Sequence, residues 1–327
     1  MKGIILHGGH GTRLRPLTHT GPKQLLPIAN KPMSEYCIES IKEAGITEIA
    51  IIVGGIGSKK VREYYGTGKK FGLSFTYIEQ DEPKGIAHAI QLCKEFVNNE
   101  KFLVFLGDNI IQKSINEFAL KFEKSNFDAT VLLCKVDNPS RFGIASVKDG
   151  KIIKIIEKPK NPSSDLAVTG IYFLTSKIFE IIDNLKPSWR NELEITDALD
   201  ILLEKNHNLS YEIITDYWKD TGTPEDIIHA NGQLIGKMDQ FFLGVQEDNV
   251  KINGKVIVGK NSLIKSDVII NGPVIIGENC LINSGTILGP NVSIGDNSTI
   301  SKCNVTNSII MANCKIDLDV NIRNSII

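Results

Sequence analysis

Short apolar runs alternate with amphipathic stretches along the first part of the chain. The runs GIIL, EIAIIV and FLVFL are apolar almost throughout, and a glycine follows each of them within two residues. Between the first two, residues 34–45 begin with a helix-capping serine, carry apolar residues at helical spacing and end at a glycine. Apolar strands separated by helices indicate a mostly parallel sheet that is covered on both faces. The pattern therefore predicts an α/β domain over residues 1–236.

Two polar stretches come directly after predicted strands. Glycines at positions 8, 9 and 11 follow the first strand, and the sequence Gly107-Asp108-Asn109 follows a later one. Ligands of such sheets bind beyond the carboxyl ends of the parallel strands. We therefore expect the two stretches to meet at one rim of the sheet, where a ligand would bind.

Residues 250–327 follow a different period. An aliphatic residue recurs every six positions from Ile252 to Ile300, and glycine or asparagine follows most of these anchors. A helix would require a period near 3.6 and a two-faced strand a period of 2. A six-residue repeat is typical of a β-solenoid instead, and it resembles the hexapeptide repeat of left-handed parallel β-helices. The phase slips after Ile300 and resumes at Ile310, which predicts about four coils, and residues 237–249 are the predicted linker.

Composition and charge exclude several classes of partner. Hydrophobic residues make up 42% of the 327 residues, charged residues make up 23%, and the formal net charge is −1. Without a basic surplus, a nucleic-acid partner is disfavoured. No apolar run approaches the ~20 residues of a membrane-spanning helix, and the apolar start is too short for a signal peptide. We therefore expect a cytoplasmic protein without a membrane partner, whose six cysteines are free thiols and form no zinc site.

The sequence HGGHGTRLRP, residues 7–16, is a glycine-rich loop that fits neither common phosphate-binding motif. It lacks the third glycine of G-x-G-x-x-G and the Gly-Lys-Ser/Thr of a P-loop. Glycines let backbone N–H groups approach phosphate oxygens, and Arg13 and Lys23 add cations suited to a di- or triphosphate. A tight turn without a ligand explains the glycines alone equally well. The longer pattern, Gly-Gly-x-Gly-Thr-Arg followed by Pro-Lys-Gln, is more specific.

The ordered motifs of residues 1–236 resemble those of the sugar-1-phosphate nucleotidylyltransferases, most closely the long form of glucose-1-phosphate thymidylyltransferase. They comprise residues 8–16, PKQL from Pro22, Gln80, Gly85, LGDN from Leu106, RFG from Arg141, EKP from Glu157, VTGIYF from Val168, ELEITD from Glu192 and WKDTGT from Trp218. The resemblance implies a Rossmann-like nucleotidyltransferase domain followed by a left-handed parallel β-helix. One departure is His7, where the family commonly has Ala or Ser.

The resemblance also implies a reaction. A sugar 1-phosphate would attack the α-phosphorus of a nucleoside triphosphate in line, with Mg²⁺ bound and pyrophosphate released. Asp108 and Asp220 would hold the metal, because Mg²⁺ prefers carboxylate oxygens. Arg13 and Lys23 would neutralise the departing phosphates, and Lys158 would hold the sugar phosphate. Considered singly, each aspartate is more commonly a cap, and Lys158 fits a solvated lysine in a charged stretch.

Contacts to both substrates are implied in the same way. The nucleotide would contact Gly8, Gly9, Gly11, Thr12, Arg13, Lys23, Gln24, Gln80, Gly85 and Asp108. The sugar would contact Asn109, Gly143, Glu157, Lys158, Val168 and Thr169. Ordinary alternatives exist: a surface salt bridge for Glu157, a plain strand position for Val168 and a turn cap for Asn109. No histidine is given an acid–base role, because the attacking phosphate is already anionic.

Three functions are open to test. The first is transfer of a thymidylyl group from dTTP to α-D-glucose 1-phosphate, with UTP or another pyrimidine triphosphate as the alternative donor. The second is a bifunctional enzyme whose β-helix carries an acyltransferase, which the absence of histidine from the repeats disfavours. In the third, the β-helix is an assembly or regulatory module, since a solenoid offers flat contact surfaces. We expect a homo-oligomer on this ground.

Overall fold

The computed structural model describes residues 1–8, 11–19 and 21–327, with the backbone but not the side chain of Ile56. Gly9, His10 and Thr20 lie outside the described residues, and so does the predicted contact of Gly9 with the nucleotide. The chain divides into two compact units. The first comprises Met1–Leu25 and Ser34–Asp220, and the second comprises Leu26–Met33 and Thr221–Ile327. The domain boundaries drawn from the sequence pattern stay predictions.

Strands and helices alternate along the first 237 residues. The strands are β1 (Lys2–Leu6), β2 (Pro27–Ile28), β3 (Lys31–Pro32), β4 (Glu48–Val53), β5 (Ser74–Glu79), β6 (Phe102–Leu106), β7 (Asn109–Ile111), β8 (Ala129–Lys135), β9 (Gly143–Lys148), β10 (Lys151–Glu157), β11 (Leu166–Leu174), β12 (Leu209–Ile214) and β13 (Trp218–Asp220). The helices are α1 (Met33–Glu43), α2 (Ser58–Tyr65), α3 (Ile86–Gln91), α4 (Lys94–Val97), α5 (Asn116–Lys124), α6 (Lys177–Ile182), α7 (Ile195–Glu204) and α8 (Pro224–Lys237). Within the described residues, no helix is long and apolar enough to cross a membrane.

One large sheet runs through the first unit, with the strand order β10-β9-β11-β6-β1-β4-β5, while β8 joins β11 and β12 joins β8. Strand β1 is parallel to β4 and to β6, and β4 is parallel to β5. Strand β11 instead runs antiparallel to β6, β8 and β9. The predicted parallel sheet is therefore confirmed around β1, and an antiparallel group of strands extends it beyond β6.

Apolar side chains fill both faces of this sheet. Ile4 and Leu6 of β1 belong to a cluster that includes residues of α3, α6 and α7. Ile5 belongs to a second cluster, with residues of α1, α2 and α5. Successive residues of a strand point to opposite faces, so a strand buried on both faces must be apolar throughout. This explains the uninterrupted apolar runs of the sequence.

The second unit contains a parallel β-helix. Its strands are β14 (Val245–Gln246), β15 (Lys251–Asn253), β16 (Val256–Val258), β17 (Leu263–Ile264), β18 (Ile269–Asn271), β19 (Val274–Ile276), β20 (Leu281–Ile282), β21 (Ile287–Leu288), β22 (Val292–Ile294), β23 (Thr299–Ser301), β24 (Asn304–Thr306), β25 (Ser308–Ile310), β26 (Lys315–Asp317) and β27 (Asn321–Arg323). They form three parallel sheets, β14-β17-β20-β23-β26, β15-β18-β21-β24-β27 and β16-β19-β22-β25. Three sheets around one axis are consistent with the predicted left-handed β-helix.

Each full coil of this helix takes three six-residue repeats. Val256 pairs with Val274, which in turn pairs with Val292, so that equivalent residues stack one coil apart. The next partner of Val292 is Ser308, two residues sooner than a full coil would give. This shortened coil is the phase slip visible in the sequence. From Val258 to Ile300 the anchor side chains, such as Ile282, are at most 1% exposed inside the coils.

Helix α8 belongs to the second unit, where a buried asparagine holds it. The Asn231 side-chain oxygen accepts hydrogen bonds from the Ala29 backbone N–H at 2.8 Å and from Ser293 Oγ at 3.0 Å. Asn231 is fully buried, and hydrogen bonding to its oxygen offsets part of the desolvation that burial requires. One side chain thereby joins α8, the loop between β2 and β3, and a coil of the β-helix.

Replacing Ile282 by alanine should destabilise the β-helix. The side chain is fully buried, and such a substitution leaves a cavity that costs about 2–5 kcal/mol. Urea unfolding followed by circular dichroism measures the change in the free energy of unfolding. The control is Leu318→Ala, since Leu318 is 64% exposed and its loss should cost less than about 0.5 kcal/mol. Equal losses in the two variants would contradict the interior position of the anchors.

Candidate active site

A cavity of about 350 Å³ opens at the carboxyl ends of β1 and β6 in the first unit. Gly8 follows β1, Asp108 follows β6, and both line the cavity, so the two polar stretches meet as the sequence predicted. The residues of the sequence prediction that line it are Gly8, Arg13, Lys23, Gln24, Gln80, Gly85, Asp108, Asn109, Gly143, Glu157, Lys158, Val168 and Asp220.

Gly11 and Thr12 are not among the described residues that line the cavity. Gly11 has a φ of +57°, and its carbonyl accepts a hydrogen bond from Thr18 Oγ1 at 2.8 Å. A Cβ at Gly11 would lie 3.0 Å from a carbon of Thr18. Thr12 begins the 3-10 turn Thr12–Leu14 directly after it. These residues shape the loop that carries Arg13 to the cavity, and their predicted contacts with the nucleotide stay predictions.

Two aspartates meet through a short two-stranded ribbon. Strands β7 and β13 pair antiparallel, with Asp220 opposite Asn109, the residue after Asp108. The Lys23 ammonium donates a hydrogen bond to Asp108 Oδ2. The Asn109 amide donates to the other oxygen, Oδ1, at 3.0 Å. Lys23 and Asn109 therefore hold the two oxygens of one carboxylate at the cavity wall, and Asp220 lies on the strand paired with Asn109.

This ion pair determines the charge of both partners. Burial alone would favour the neutral acid, but the charge and hydrogen bond of Lys23 outweigh it and hold the pKa of Asp108 below its usual value. Burial likewise opposes the charge of Lys23, whereas Asp108 and Asp220 together raise the pKa of the amine above its usual value. The side chains of Lys23 and Asp108 are 13% and 16% exposed. The pair is therefore ionised and shielded from solvent at neutral pH.

The donor set beside the cavity fits magnesium. Mg²⁺ usually takes one or two protein carboxylates and completes its shell with water and substrate phosphates. Asp108 and Asp220 provide two such carboxylates at the wall of an open cavity. Across the described part of the chain, no group of three or more His, Cys, Asp or Glu side chains could hold a metal by itself. The two aspartates therefore suit a metal that binds together with a phosphate substrate.

Two glutamines line the cavity near the glycine loop. Gln24 Nε2 donates a hydrogen bond to the Gly8 carbonyl at 3.2 Å. Its side-chain oxygen is buried and has no hydrogen-bond partner among the described residues. Buried polar atoms are paired as a rule, so this acceptor suits an N–H group of a bound ligand. Gln80 Nε2 donates to the Gly85 carbonyl at 3.2 Å and lies 3.0 Å from His88 Nδ1.

Gly85 connects this side of the cavity to the loop between α6 and α7. Its φ of +103° favours glycine, and a Cβ there would lie 2.5 Å from the Leu193 carbonyl oxygen. The Leu193 N–H donates to the Lys84 carbonyl at 2.8 Å, and its carbonyl accepts from the Ala87 N–H at 3.0 Å. The backbone around Gly85 is therefore bonded to a loop that also lines the cavity farther along.

Glu157 is held by contacts to both of its carboxylate oxygens. It ends β10 and lies opposite Gly143 of β9. Its Oε2 accepts a hydrogen bond from Thr196 Oγ1 at 3.0 Å, and its Oε1 lies 3.4 Å from both Arg190 and Lys158. A Cβ on Gly143 would come within 2.5 Å of a Thr196 methyl carbon, so the close approach needs glycine. A carboxylate fixed in this way can accept hydrogen bonds from neighbouring hydroxyl groups.

Strand β11 presents alternate residues to the cavity. Val168, Gly170 and Tyr172 line it, and the register with β8 shifts between Val168 and Tyr172. Such irregularities re-aim side chains next to binding sites. Thr169 lies between two lining residues and points to the other face, where its Oγ1 donates to the Leu132 carbonyl at 2.9 Å. The structure therefore does not bring the Thr169 side chain to the predicted sugar site.

Arg190 lines the cavity but was given no role from the sequence. Its guanidinium lies 3.4 Å from Glu157, 2.9 Å from Glu192 and 3.2 Å from Glu194. Burial, reinforced by the charge of Glu157, raises the pKa of Glu194. One arginine thus organises three carboxylates. The signal in the sequence was weak, because only the two glutamates of ELEITD lie close to Arg190 along the chain.

Trp218 begins the WKDTGT motif, but its side chain was given no role from the sequence. Its indole N–H donates to Asn109 Oδ1 at 2.8 Å, and the Gly170 N–H lies 3.4 Å from the same oxygen. The Asn109 amide is thereby turned towards Asp108. Asn109 is 2% exposed, and its amide is bonded to the carboxylate beside it. No sequence pattern could reveal the contact that orients this amide, because Trp218 is 109 residues away.

His7 is buried behind the glycine loop. Burial lowers the pKa of its imidazole to about 3, so the ring is neutral at physiological pH. Both ring nitrogens lack a hydrogen-bond partner among the described residues. The ring packs edge-on against Tyr65, with centroids 5.9 Å apart, and a Cβ on Gly107 would lie 2.8 Å from its Cδ2. Its position explains the glycine before Asp108.

Comparison with known families covers most of the chain. The nucleotidyl transferase family profile matches residues 2–236, and the profile of the GMPPB C-terminal domain matches residues 270–327. The crystal structure of a candidate glucose-1-phosphate thymidylyltransferase from Bacillus anthracis, in complex with sucrose, is 44% identical. It superposes with a TM-score of 0.69 and covers 74% of this chain and 98% of that one.

Two curated relatives are also similar over most of the length. The low-salt glycan biosynthesis nucleotidyltransferase Agl11 of Haloferax volcanii is 43% identical over 263 residues, which cover 80% of this chain and 74% of the relative. A glucose-1-phosphate thymidylyltransferase of Streptomyces antibioticus is 40% identical over 271 residues, which cover 82% and 76% of the two chains.

Replacing Lys23 by methionine should lower the free energy of unfolding by about 3–5 kcal/mol, because the Asp108 charge is left buried without its partner. Adding Asp108→Asn should recover most of this loss, since no charge then remains unpaired. Urea unfolding of the wild type, both single variants and the double variant measures the coupling. A double variant no more stable than Lys23→Met would contradict the pairing.

The same pair predicts the pH dependence of stability. The pKa of Asp108 is lower in the folded chain than in the unfolded chain. Its contribution is therefore complete above the ordinary aspartate pKa of about 3.9 and is lost as the pH falls through the lowered value. The destabilisation by Lys23→Met should accordingly shrink in acid, which the same unfolding measurements at several pH values would reveal.

Proposed function

The chain belongs to the nucleotidyl transferase family and is a sugar-1-phosphate nucleotidylyltransferase, and we propose that it transfers a thymidylyl group from dTTP to α-D-glucose 1-phosphate. The products would be dTDP-glucose and pyrophosphate. One observation carries the proposal: a single cavity is lined by the cations Arg13 and Lys23, two aspartates and the fixed carboxylate of Glu157. The Streptomyces antibioticus thymidylyltransferase, at 40% identity, supports this choice of substrates.

The proposed step is one displacement at phosphorus. An oxygen of the sugar 1-phosphate forms a bond to the α-phosphorus of dTTP as the bond to the β-phosphate oxygen breaks. The electron pair of that bond leaves with pyrophosphate. The attacking oxygen is already anionic, so no side chain needs to remove a proton. Catalysis then consists of holding two anions in line and neutralising their charge.

Cations from separate segments would hold the phosphates. Arg13, directly after the glycine loop, would bind the β- and γ-phosphates with its forked guanidinium, and Lys23 would add a second charge. Lys158 would bind the phosphate of the sugar. The Lys158 ammonium lies 3.4 Å from Glu157 Oε1, and the side chain is 37% exposed at the wall of the same cavity.

Asp108 and Asp220 would hold the Mg²⁺ ion. When bound, Mg²⁺ supplies positive charge that stabilises the phosphate oxygens around the reacting phosphorus. The chain's own contribution is the placement of the two carboxylates. The antiparallel pairing of β7 with β13 sets their separation, and the Asn109 amide orients Asp108.

A pyrimidine base suits the two glutamines. Thymine and uracil each present one ring N–H between two carbonyl groups. The side-chain oxygen of Gln24, which has no partner among the described residues, would accept from such an N–H, and the amide of Gln80, held by Gly85 and His88, would stand beside it. Both bases share this edge, so UTP is the alternative donor that the assay must include.

The sugar would lie against Glu157. Its carboxylate would accept hydrogen bonds from paired hydroxyl groups, as its fixed position favours. Gly143 lies opposite it in the sheet and lines the same cavity, and Val168 offers a small apolar surface. Asn109 would act indirectly, because its amide is bonded to the Asp108 carboxylate and holds that group in position.

A panel of substrates tests the proposal. The purified chain with Mg²⁺ would be assayed for pyrophosphate release with dTTP, UTP, ATP or GTP, each paired with the 1-phosphates of glucose, galactose and N-acetylglucosamine. The highest kcat/KM is expected for dTTP with glucose 1-phosphate, and Asp220→Asn should abolish turnover with an unchanged melting temperature. A higher kcat/KM for UTP would replace dTTP as the donor. No pyrophosphate from any pair would reject the proposal.

Replacing Arg13 by alanine should lower kcat by at least ~100-fold, as for the loss of one preorganised group that stabilises developing charge. Arg13 lines the cavity and would face the departing pyrophosphate. Steady-state kinetics with dTTP and glucose 1-phosphate measure the effect. The control is Arg323→Ala, in β27 of the second unit, a residue that is not among the described residues lining the cavity. A near-normal kcat in the Arg13 variant would show that this role is wrong.

A further inference from the structure

A second glycine-rich stretch, residues 54–57, follows β4 and leads directly into α2. It has the sequence GGIG and precedes Ser58, the first residue of the helix. None of its described residues lines the active-site cavity. The stretch therefore has no direct part in the reaction, and its glycines need another explanation.

Packing, not backbone conformation, requires glycine at position 57. Gly57 has φ −95° and ψ −8°, which any residue can adopt. A Cβ at this position would lie 2.5 Å from Pro22 Cδ, 2.7 Å from Pro22 Cβ and 2.8 Å from Pro22 Cγ. The ring of Pro22 thus occupies the place of a side chain on Gly57. The start of α2 is pressed directly against the segment that carries Lys23.

Pro22 is the first residue of the turn that delivers two cavity residues. The Leu25 N–H donates to the Pro22 carbonyl at 3.1 Å, which closes the 3-10 turn Lys23–Leu25. Within this turn, Lys23 reaches Asp108, and Gln24 carries a buried side-chain oxygen that no described residue pairs with. A shift of Pro22 would therefore move both side chains.

The other end of α2 holds the same turn. The hydroxyl oxygen of Tyr65, the last residue of α2, lies 2.7 Å from Ser34 Oγ. Ser34 Oγ donates to the Gln24 carbonyl at 3.0 Å, so Tyr65 donates to Ser34. Tyr65 is 1% exposed and Ser34 is fully buried, which makes the chain of bonds insensitive to solvent. The turn is thus tied to both ends of α2, by the packing of Pro22 against Gly57 and by the bond of Ser34 to Tyr65.

We propose that α2 is a brace that sets the position of Lys23 and Gln24, with Gly57 and Tyr65 as positioning residues for nucleotidyl transfer. The proposal rests on the proposed function in one respect: the triphosphate substrate binds at Lys23 and Gln24. Disturbing the brace should then impair use of the triphosphate. The sugar phosphate, placed at Glu157 and Lys158, should be affected far less.

Gly57→Ala tests the first contact. The new methyl group must displace Pro22, and misplacing a binding group by a fraction of an ångström to 1 Å costs about 10- to 100-fold in rate. We expect a loss of that size in kcat/KM for the triphosphate, with the KM for the sugar phosphate changed less than about twofold. The matched control is Gly21→Ala in the same segment. A Cβ at Gly21 would lie 3.6 Å from the nearest atom, of Lys60, an ordinary contact, so its kinetics should stay normal.

Pro22→Gly tests whether the contact is the cause. Glycine removes all three ring atoms that the Gly57 methyl group would meet. On the Pro22→Gly background, Gly57→Ala should therefore cost less than about twofold, which a double-mutant cycle measures directly. Equal losses on both backgrounds, or a Gly57→Ala variant as active as Gly21→Ala, would overturn the proposal. If Gly57→Ala alone does not fold, recovery of folded protein on the Pro22→Gly background supports it, and failure to recover overturns it.

Tyr65→Phe tests the second contact without changing the volume of the core. It removes the hydroxyl group that bonds to Ser34, and the KM for the triphosphate should rise about three- to tenfold, the loss expected for one hydrogen bond. An unchanged KM would overturn the brace. Lys23→Met in the same assays separates the two proposals. If Lys23→Met leaves use of the triphosphate unchanged, the proposed binding of the triphosphate at Lys23 is wrong. If Lys23→Met impairs it while Gly57→Ala and Tyr65→Phe do not, the brace alone is wrong. The substrate panel tests the proposed function separately.

Discussion

The buried ion pair between Lys23 and Asp108 is the interaction on which the arrangement of the cavity depends. Its partners are 85 residues apart in the chain, and neither can be buried as a charge without the other. Such a pair adds little net stability, yet removing one partner is strongly destabilising. The fold therefore has to hold both segments in place. The turn at Lys23 and the ribbon that carries Asp108 and Asp220 are the two elements that do so.

The loop between α6 and α7 extends this arrangement to the rest of the cavity. Leu193 is bonded through its backbone to both sides of Gly85, and Arg190 of the same loop contacts Glu157. Only two residues, Asn191 and Glu192, separate Arg190 from Leu193 in the chain. The same loop contacts the proposed base site and the proposed sugar site, so a displacement of this loop would change the geometry of both. This shared support also explains why Gly85 cannot carry a side chain, since a Cβ would strike the Leu193 backbone.

The sequence predicted those elements whose apolar residues recur in a regular pattern along the chain. The apolar runs identified the parallel strands around β1, and the six-residue anchors identified the β-helix, including its shortened coil. The sequence did not predict the antiparallel strands β8–β11, because strands buried on both faces have the same pattern in either direction. Arg190 and Trp218 were missed for a related reason. Their contacts with Glu157 and Asn109 join residues 33 and 109 positions apart, and such long-range contacts leave no periodic signal in the sequence.

His7 fills buried space with a neutral ring, because burial suppresses the protonation of its imidazole. A protonated imidazole beside Asp108 would compete with Lys23 for the carboxylate. Burial holds the pKa of His7 near 3, so the ring is neutral and leaves that role to Lys23. Because folding favours the neutral ring, its contribution to stability is complete above the ordinary pKa of 6.5 and is lost as the pH falls towards 3. The ring packs between Gly107 and Tyr65, and so links the turn of Asp108 to the helix that supports Lys23.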